Sequence, residues 1–296
     1  MHQTEGLLAA LVALLAWGFG DYIIQKSTRI IGAIPTLFYI SLIGSVGLLP
    51  LVWHRIPELA KTTHILPLLA WTVFIAATYS ILLLEAFRRG KLSVIEPVAS
   101  FELPLTIIIG LIIIGETVTS MQLWLIILVF IGLLVTVLRR DPQHWWNIFR
   151  HRTFLEQGVI IAIIGTVAAA FTNVLTGVLS RRTDPLLAIW GVDIILTTLC
   201  FIWIAYRGQL KSTFSLTREH WPPVIFQGIF DNAAWVAYAY AVTKIPISIT
   251  IAITECYIAL AALLGVMLNR EKLDRHQYYG IAISLIAVVL LAIVSA

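Results

Sequence analysis

Gly115-Glu116-Thr117-Val118-Thr119-Ser120-Met121-Gln122 and Arg270-Glu271-Lys272-Leu273-Asp274-Arg275-His276-Gln277 are two short polar links, each joining one long apolar run to the next. Glu116 matches Glu271 and Gln122 matches Gln277, both at a shift of 155 residues. Pro35 and Pro185, each opening an apolar run after a short basic link, match at a shift of 150. Self-similarity at a long period marks a duplicated unit, and it decides how the remaining elements are read.

Outward from these links, the apolar runs are continuous rather than alternating. A bilayer core takes about 20 apolar residues in helical form, and only helices or closed barrels satisfy their backbone in lipid. Continuous runs favour helices. Ten spans are expected, near 6–26, 33–53, 64–87, 92–114, 120–138, 157–180, 185–206, 222–243, 247–268 and 276–295. The link between the fifth and sixth carries Arg139-Arg140-Asp141-Pro142 and then Trp145-Trp146, residue types that anchor a chain at the membrane–water interface. The expected units are residues 1–140 and 157–296, joined by a connecting loop at 141–156. Five is odd, so the second unit must insert upside down relative to the first. The expected fold class is therefore all-α integral membrane: two inverted five-helix repeats around a central cavity, an architecture that places a substrate site near the midplane between the halves.

Composition agrees. The 296 residues are 59% hydrophobic and 12% charged, with a mean hydropathy of +0.93; a soluble domain carries about 45–50% apolar and about 25% charged residues. No long polar stretch remains from which a soluble domain could fold. Lys and Arg total 20 against 16 acidic residues, but they sit in short links rather than on a solvated basic face, which excludes a nucleic-acid partner. Cys200 and Cys256 fall inside apolar runs, and no disulfide framework is implied. Met1 to Gly6 lacks the positive n-region of a signal peptide, so the first run reads as a retained membrane helix. The seven His are scattered without metal-ligand spacing, and no P-loop occurs. No cofactor or metal is expected, and neither an ATP-driven pump nor an enzyme is expected.

Leu15-Ala16-Trp17-Gly18-Phe19-Gly20-Asp21 followed by Lys26 resembles the opening helix of the EamA type of the drug/metabolite transporter superfamily. Glu116 and Glu271, each ending the fourth helix of a unit, resemble its "Gly-Glu, then polar" signature, and Glu102-Leu103-Pro104 precedes Glu116 much as that family's Pro does. The resemblance spans essentially the whole chain. The second unit departs from it: Arg270 stands where Gly precedes the Glu, its fourth span has no Pro, and its first has no Trp-Gly. The resemblance implies ten helices around a cavity lined by the first, third and fourth helices of each repeat. It also implies export or exchange of amino acids, other metabolites or toxic compounds, in some members against protons.

Ionisable groups inside a span cost about 2.5–3.5 kcal/mol on insertion scales and so mark candidate functional positions. Here they are acidic: Asp21, Glu96, Glu102, Asp193, Asp231 and Glu255. Basic residues lie near span ends, where long stems reach water. Glu255 stands inside the ninth span, beside Thr254 and near Tyr257. Asp231 shares a helical face with Trp235 and Tyr238, and a carboxylate over an aromatic wall suits an ammonium group. Asp21 is one turn from Trp17. Glu102 precedes Pro104 in a span that also holds Pro97, so that helix should bend. Asn173 and Asn232 are embedded amides. The competing reading of each is an interhelical hydrogen bond. Glu85 reads as an ion pair with Arg88 and Arg89, and Glu116 and Glu271 read as caps or gate-lining groups. Gly280 and Ser284 form a small-xxx-small pair suited to close packing within the bundle or in a dimer.

The expected site is therefore Glu255, Asp231, Glu102, Asp21, Trp17, Trp235, Tyr238, Tyr257 and Asn232. The expected function is a secondary transporter moving a small cationic or zwitterionic amine, amino acid or toxic compound by alternating access, with proton coupling. An uncoupled facilitator or lipid flippase of the same fold is the alternative, and a polytopic enzyme is the remote one. The expected partners are the lipid bilayer, the small-molecule substrate and protons, with the protein monomeric or homodimeric. The expected location is the cell membrane, the cytoplasmic membrane in a prokaryote. Of the Lys and Arg, 15 fall in links after odd-numbered spans and 5 elsewhere, which by the positive-inside rule puts both termini outside the cytoplasm. The resembled family has both termini inside.

Overall fold

The computed structural model describes residues 2–61, 65–89, 98–138, 157–269 and 273–296, and every regular element among these is helical. Glu96, Pro97, Trp145, Trp146, Arg270 and Glu271 lie outside the described residues, as do the side chains of Arg88 and Arg89. In chain order the helices are α1 (His2–Ile31), α2 (Ala33–Val52), the short α3 (Ile56–Lys61), α4 (Leu66–Arg89), α5 (Glu102–Ile109) and α6 (Ser120–Val137). The second half supplies α7 (Gln157–Arg182), α8 (Pro185–Tyr206), α9 (Leu210–Glu219), α10 (Trp221–Ala241), α11 (Ile247–Thr254), α12 (Tyr257–Asn269) and α13 (Arg275–Ser295). Among the described residues, eight helical stretches are long and apolar enough to cross a membrane. The apolar stretch Glu102–Ile114 is shorter, and α10, with Gln227, Asp231 and Asn232 in its interior, is not among the eight. Two links expected as loops, 54–63 and 207–221, contain α3 and α9.

Local chemistry sets the boundaries. Gly32 adopts φ 93, where only glycine is comfortable, and lets α1 turn directly into α2. Asp184 caps α8 by accepting from the backbone N–H groups of Leu186 and Leu187, with Pro185 in the first helical turn. Thr119 with Gln122 opens α6 through a reciprocal capping box, and Asp274 with Gln277 opens α13 the same way, 155 residues on. The glutamine pair that marks the repeat in the sequence is thus the third residue of two equivalent caps.

The repeat also appears where helices break. Phe101 N–H donates to Val98 O and Cys256 N–H donates to Ile253 O, each a three-residue reach of 3.2 Å, and these two bonds are again 155 residues apart. In the first half the cause is local. Pro104 has no N–H, and its ring crowds the carbonyl of Ser100, four residues earlier. In the second half no proline stands nearby. The ninth span, expected unbroken at 247–268, is instead split into α11 and α12 at Glu255–Cys256.

Helices pack across the halves. α1 runs along α10, α4 along α7, α2 along α8, and α6 along α13. The last pair meets backbone to backbone: a Cβ at Gly132 would come within 2.6 Å of Ser284 N, and one at Gly280 within 2.6 Å of Thr136 N. The Gly280–Ser284 pair is therefore used inside the chain. Hydroxyls within the helices, including Ser41, Ser45, Thr136 and Thr172, donate back to the carbonyl four residues earlier, which satisfies them without water. The outer surface is apolar, with Trp71, Ile112, Trp124 and Ile293 all strongly exposed. In water so large an apolar shell would aggregate; against lipid it is the matching surface.

Both chain ends lie on one side of the bundle. Tyr240 donates to Glu5 at 3.0 Å near the start of α1, and Gln122 donates to Ser295 at 3.0 Å at the end of α13.

Candidate functional site

The site forms where α1, α4, α5 and α10 meet the α11–α12 break. α1 presents Trp17 and, one turn on, Asp21. Trp17 meets Trp235 edge-on at a ring-centroid distance of 5.2 Å, Tyr238 at 5.9 Å and Tyr257 at 6.2 Å. Trp235 in turn meets Tyr238 at 5.7 Å. Four of the expected aromatic residues, drawn from α1, α10 and α12, therefore make one wall. Such tilted and edge-on contacts suit the ring quadrupoles.

The carboxyl groups gather against this wall. Asp231 lies beside Trp17, at the aromatic edge. Glu102, freed at the start of α5 by the Pro104 break, accepts from Asn173 Nδ2 at 2.6 Å. The same Asn173 uses its main-chain carbonyl to accept the Tyr238 hydroxyl at 3.2 Å. Glu255 sits in the break itself and is buried, while Asp21, Glu102 and Asp231 keep accessible surface. The charges of Asp21, Glu102, Asp231 and Glu255 all reach Tyr79 of α4, and those of Asp21, Glu102 and Glu255 also reach Tyr257. Like charges gathered so closely repel, and the more so at Glu255, where burial lowers the effective dielectric constant.

Eight of the nine expected residues are brought together here. Asn232 is the exception. It follows Asp231 in the helix and so points about 100° away, where its Nδ2 donates to Ile40 O and Gly228 O, both at 2.8 Å. There it ties α10 to α2, with its Oδ1 and the Asp193 Oδ2 both pressed against Gly44. Asp193 belongs to that buried interface, with Trp190 donating nearby to Ser45 O at 3.1 Å. Tyr79 is a site residue that sequence reasoning passed over. Its signal was the polar run Thr78-Tyr79-Ser80 in the middle of an apolar span, on the third helix of its unit.

Glu116 lies outside the cluster, at the side of the bundle that carries the chain ends. It accepts from Ile247 N at 2.7 Å, Ser248 N at 3.0 Å, Ser248 Oγ at 2.9 Å and Arg181 at 2.7 Å. Burial acts to raise its carboxyl, but the two backbone N–H groups, the Arg181 guanidinium and the Ser248 hydroxyl outweigh it and hold the group below its ordinary value. Among the described residues no group of three or more His, Cys, Asp or Glu is placed to hold a metal ion.

Sequence comparison matches the EamA-like transporter family over residues 4–138 and again over 156–293. The chain belongs to the EamA-like transporter family. It is accordingly a multi-pass membrane transporter of the drug/metabolite type, working in a lipid bilayer on a small-molecule substrate. A search of curated proteins finds no match. A solved structure titled "Crystal structure of protein" shares the fold with a TM-score of 0.73, at 13% identity and over 98% of each chain. At that identity the likeness concerns the fold alone.

Proposed function

We propose that this EamA-like protein is a secondary transporter that moves a small cationic or zwitterionic amine, such as an amino acid or a toxic organic cation, by alternating access coupled to protons. The observation that carries this reading is the convergence of Asp21, Glu102, Asp231 and Glu255 on a wall made by Trp17, Trp235, Tyr238 and Tyr257. An ammonium group is attracted both by the carboxylates and by the ring faces. When it leaves, protons take over the compensation of charge, so the same acids serve substrate and proton in turn. Glu255, buried at the break between α11 and α12, is assigned the proton-carrying role. In this reading residues 1–140 and 157–296 are inverted five-helix repeats, ten spans in all, joined by 141–156. The location is the cytoplasmic membrane of a prokaryote or the cell membrane otherwise.

The test is proton movement in proteoliposomes loaded with a pH dye, with amino acids, polyamines and quaternary amines added singly and protein-free vesicles as control. A substrate-specific pH change that Glu255→Gln removes is the expected result. Substrate flux without a pH change would indicate an uncoupled facilitator, and flux of labelled lipid alone a flippase. Coupled transport that survives Glu255→Gln would overturn the assignment of that residue.

A further inference from the structure

Each half of the chain holds the other at the side that carries the termini. Glu116 belongs to the first half, where a π-helical turn at Gly110–Ile114 ends on Gly115 at φ 76 and turns the chain inward. Its target is the N-terminus of α11 in the second half. Pro246 precedes that helix and supplies no side-chain cap. The first N–H groups of a helix have no partner within it, and here Ile247 N and Ser248 N find one in the two carboxylate oxygens of Glu116. A negative group at this position also meets the positive end of the helix dipole. Arg181, at the end of α7, closes the arrangement. It pairs with Glu116 and donates to Val242 O at 2.7 Å and Ile245 O at 3.3 Å, the carbonyls of the turn leading into α11. The fit is tight: a Cβ at Gly110 would come within 2.9 Å of Ser248 Oγ.

Beside this contact α5 and α11 pack against each other through apolar side chains. Leu103 and Ile107 of α5 and Ile247 and Ile251 of α11 are all buried and belong to one apolar cluster. Parting α11 from the Gly110–Glu116 segment would break the Glu116 bonds to Ile247 and Ser248 together.

We propose that Glu116, Arg181 and the N-terminus of α11 form a latch between the two halves that keeps the transport path shut on the side of the termini, and whose release opens that side to the acidic site. This rests on the transporter reading above and names the device that would regulate access to the same site. The charged state of Glu116 holds the latch. The groups facing it are Arg181 from α7 and the backbone and hydroxyl of α11, so its neutralisation removes both the ion pair and the charge at the helix end.

The experiment measures access rather than transport. Thr106 is buried on α5, one turn inside Gly110, and Thr106→Cys places a thiol there. Native Cys200 and Cys256 are buried, and protein lacking the added thiol serves as background. A membrane-impermeant maleimide is applied to the side of the termini. Glu116→Gln, and separately Arg181→Met, should raise the labelling rate at position 106 at least several-fold, with the protein still monodisperse in detergent. An unchanged rate in both folded variants overturns the latch. Should either variant fail to fold, Ser248→Ala, which removes one bond to Glu116, decides on the same Thr106→Cys background at unchanged pH: faster labelling supports the latch, and a constant rate overturns it. Labelling that rises in a protein with no detectable transport would leave the latch standing and remove the transporter reading; the converse result would do the opposite.

Discussion

Asn173 donates a 2.6 Å hydrogen bond to the carboxylate of Glu102, joining α7 of the second half to α5 of the first. Asn173 is buried, and its own carbonyl receives the Tyr238 hydroxyl, so one residue orients both an acid and part of the aromatic wall. Replacing it with Leu leaves Glu102 without its donor. A fully buried acceptor so orphaned costs about 1–3 kcal/mol, and the half-buried Glu102 correspondingly less. The Asn173→Leu protein should therefore melt several degrees lower in detergent and bind substrate weakly, while Asn173→Asp should disturb the site through an added negative charge. Thermal unfolding and substrate binding, read side by side on both variants, check this.

Trp17 touches three aromatic partners and Asp231 at once. If an ammonium group docks here, Trp17→Ala should weaken binding of cationic substrates by roughly 2- to 30-fold, the range that corresponds to about 0.5–2 kcal/mol of cation–π attraction. Trp17→Phe keeps a ring face and should recover much of the loss. Equal affinity in wild type and the alanine variant would speak against the aromatic wall as the binding surface.

The α6–α13 crossing leaves no room for side chains at Gly132 or Gly280. Gly280→Leu forces the helices apart. Overpacking of this kind costs about 1–3 kcal/mol or more. The variant should lose thermal stability and yield, whereas Ala296→Leu at the exposed chain end should not. Differential scanning fluorimetry on the purified pair gives the comparison.

Glu116 gives a pH dependence with a definite sign. Its carboxyl titrates below its ordinary value in the folded protein, so it stabilises the fold at pH values above the ordinary carboxylate range, about 4.3 for glutamate. That contribution is lost as pH falls through the depressed folded value. The difference in melting temperature between wild type and Glu116→Gln should be largest near neutral pH and shrink toward zero in acid. A difference that stays constant across this range would show that the glutamine loses shape rather than charge.

Much of the fold was legible because lipid imposes simple rules on sequence. Continuous apolar runs, basic links and the 155-residue shift gave the helices and the duplication, since each depends only on which residues follow which. The shift reappears in the caps at Thr119 and Asp274 and in the backbone breaks. The first break was legible as well, because Pro104 lacks the N–H that would have bonded Ser100. The break at Glu255 was not: no proline or glycine marks it, and it is apparent only once α11 and α12 are seen in place.

The site divides in the same way. Sequence alone determined that the interior is acidic and aromatic, because an ionisable group inside an apolar span stands out from its neighbours whatever the fold. Helical periodicity determined that Asp231, Trp235 and Tyr238 share a face. Only the tertiary structure decided which faces meet. It brought Trp17 and Asp21 of α1 to Asp231 of α10, turned Asn232 away toward α2, and added Tyr79 and Asn173. It also made Glu116 the cap of a helix in the other half. Contacts between residues more than a hundred positions apart depend on how helices cross, and crossing is set by packing at positions such as Gly44, Gly132 and Gly280. That shape complementarity belongs to the assembled bundle and leaves no local pattern along the chain.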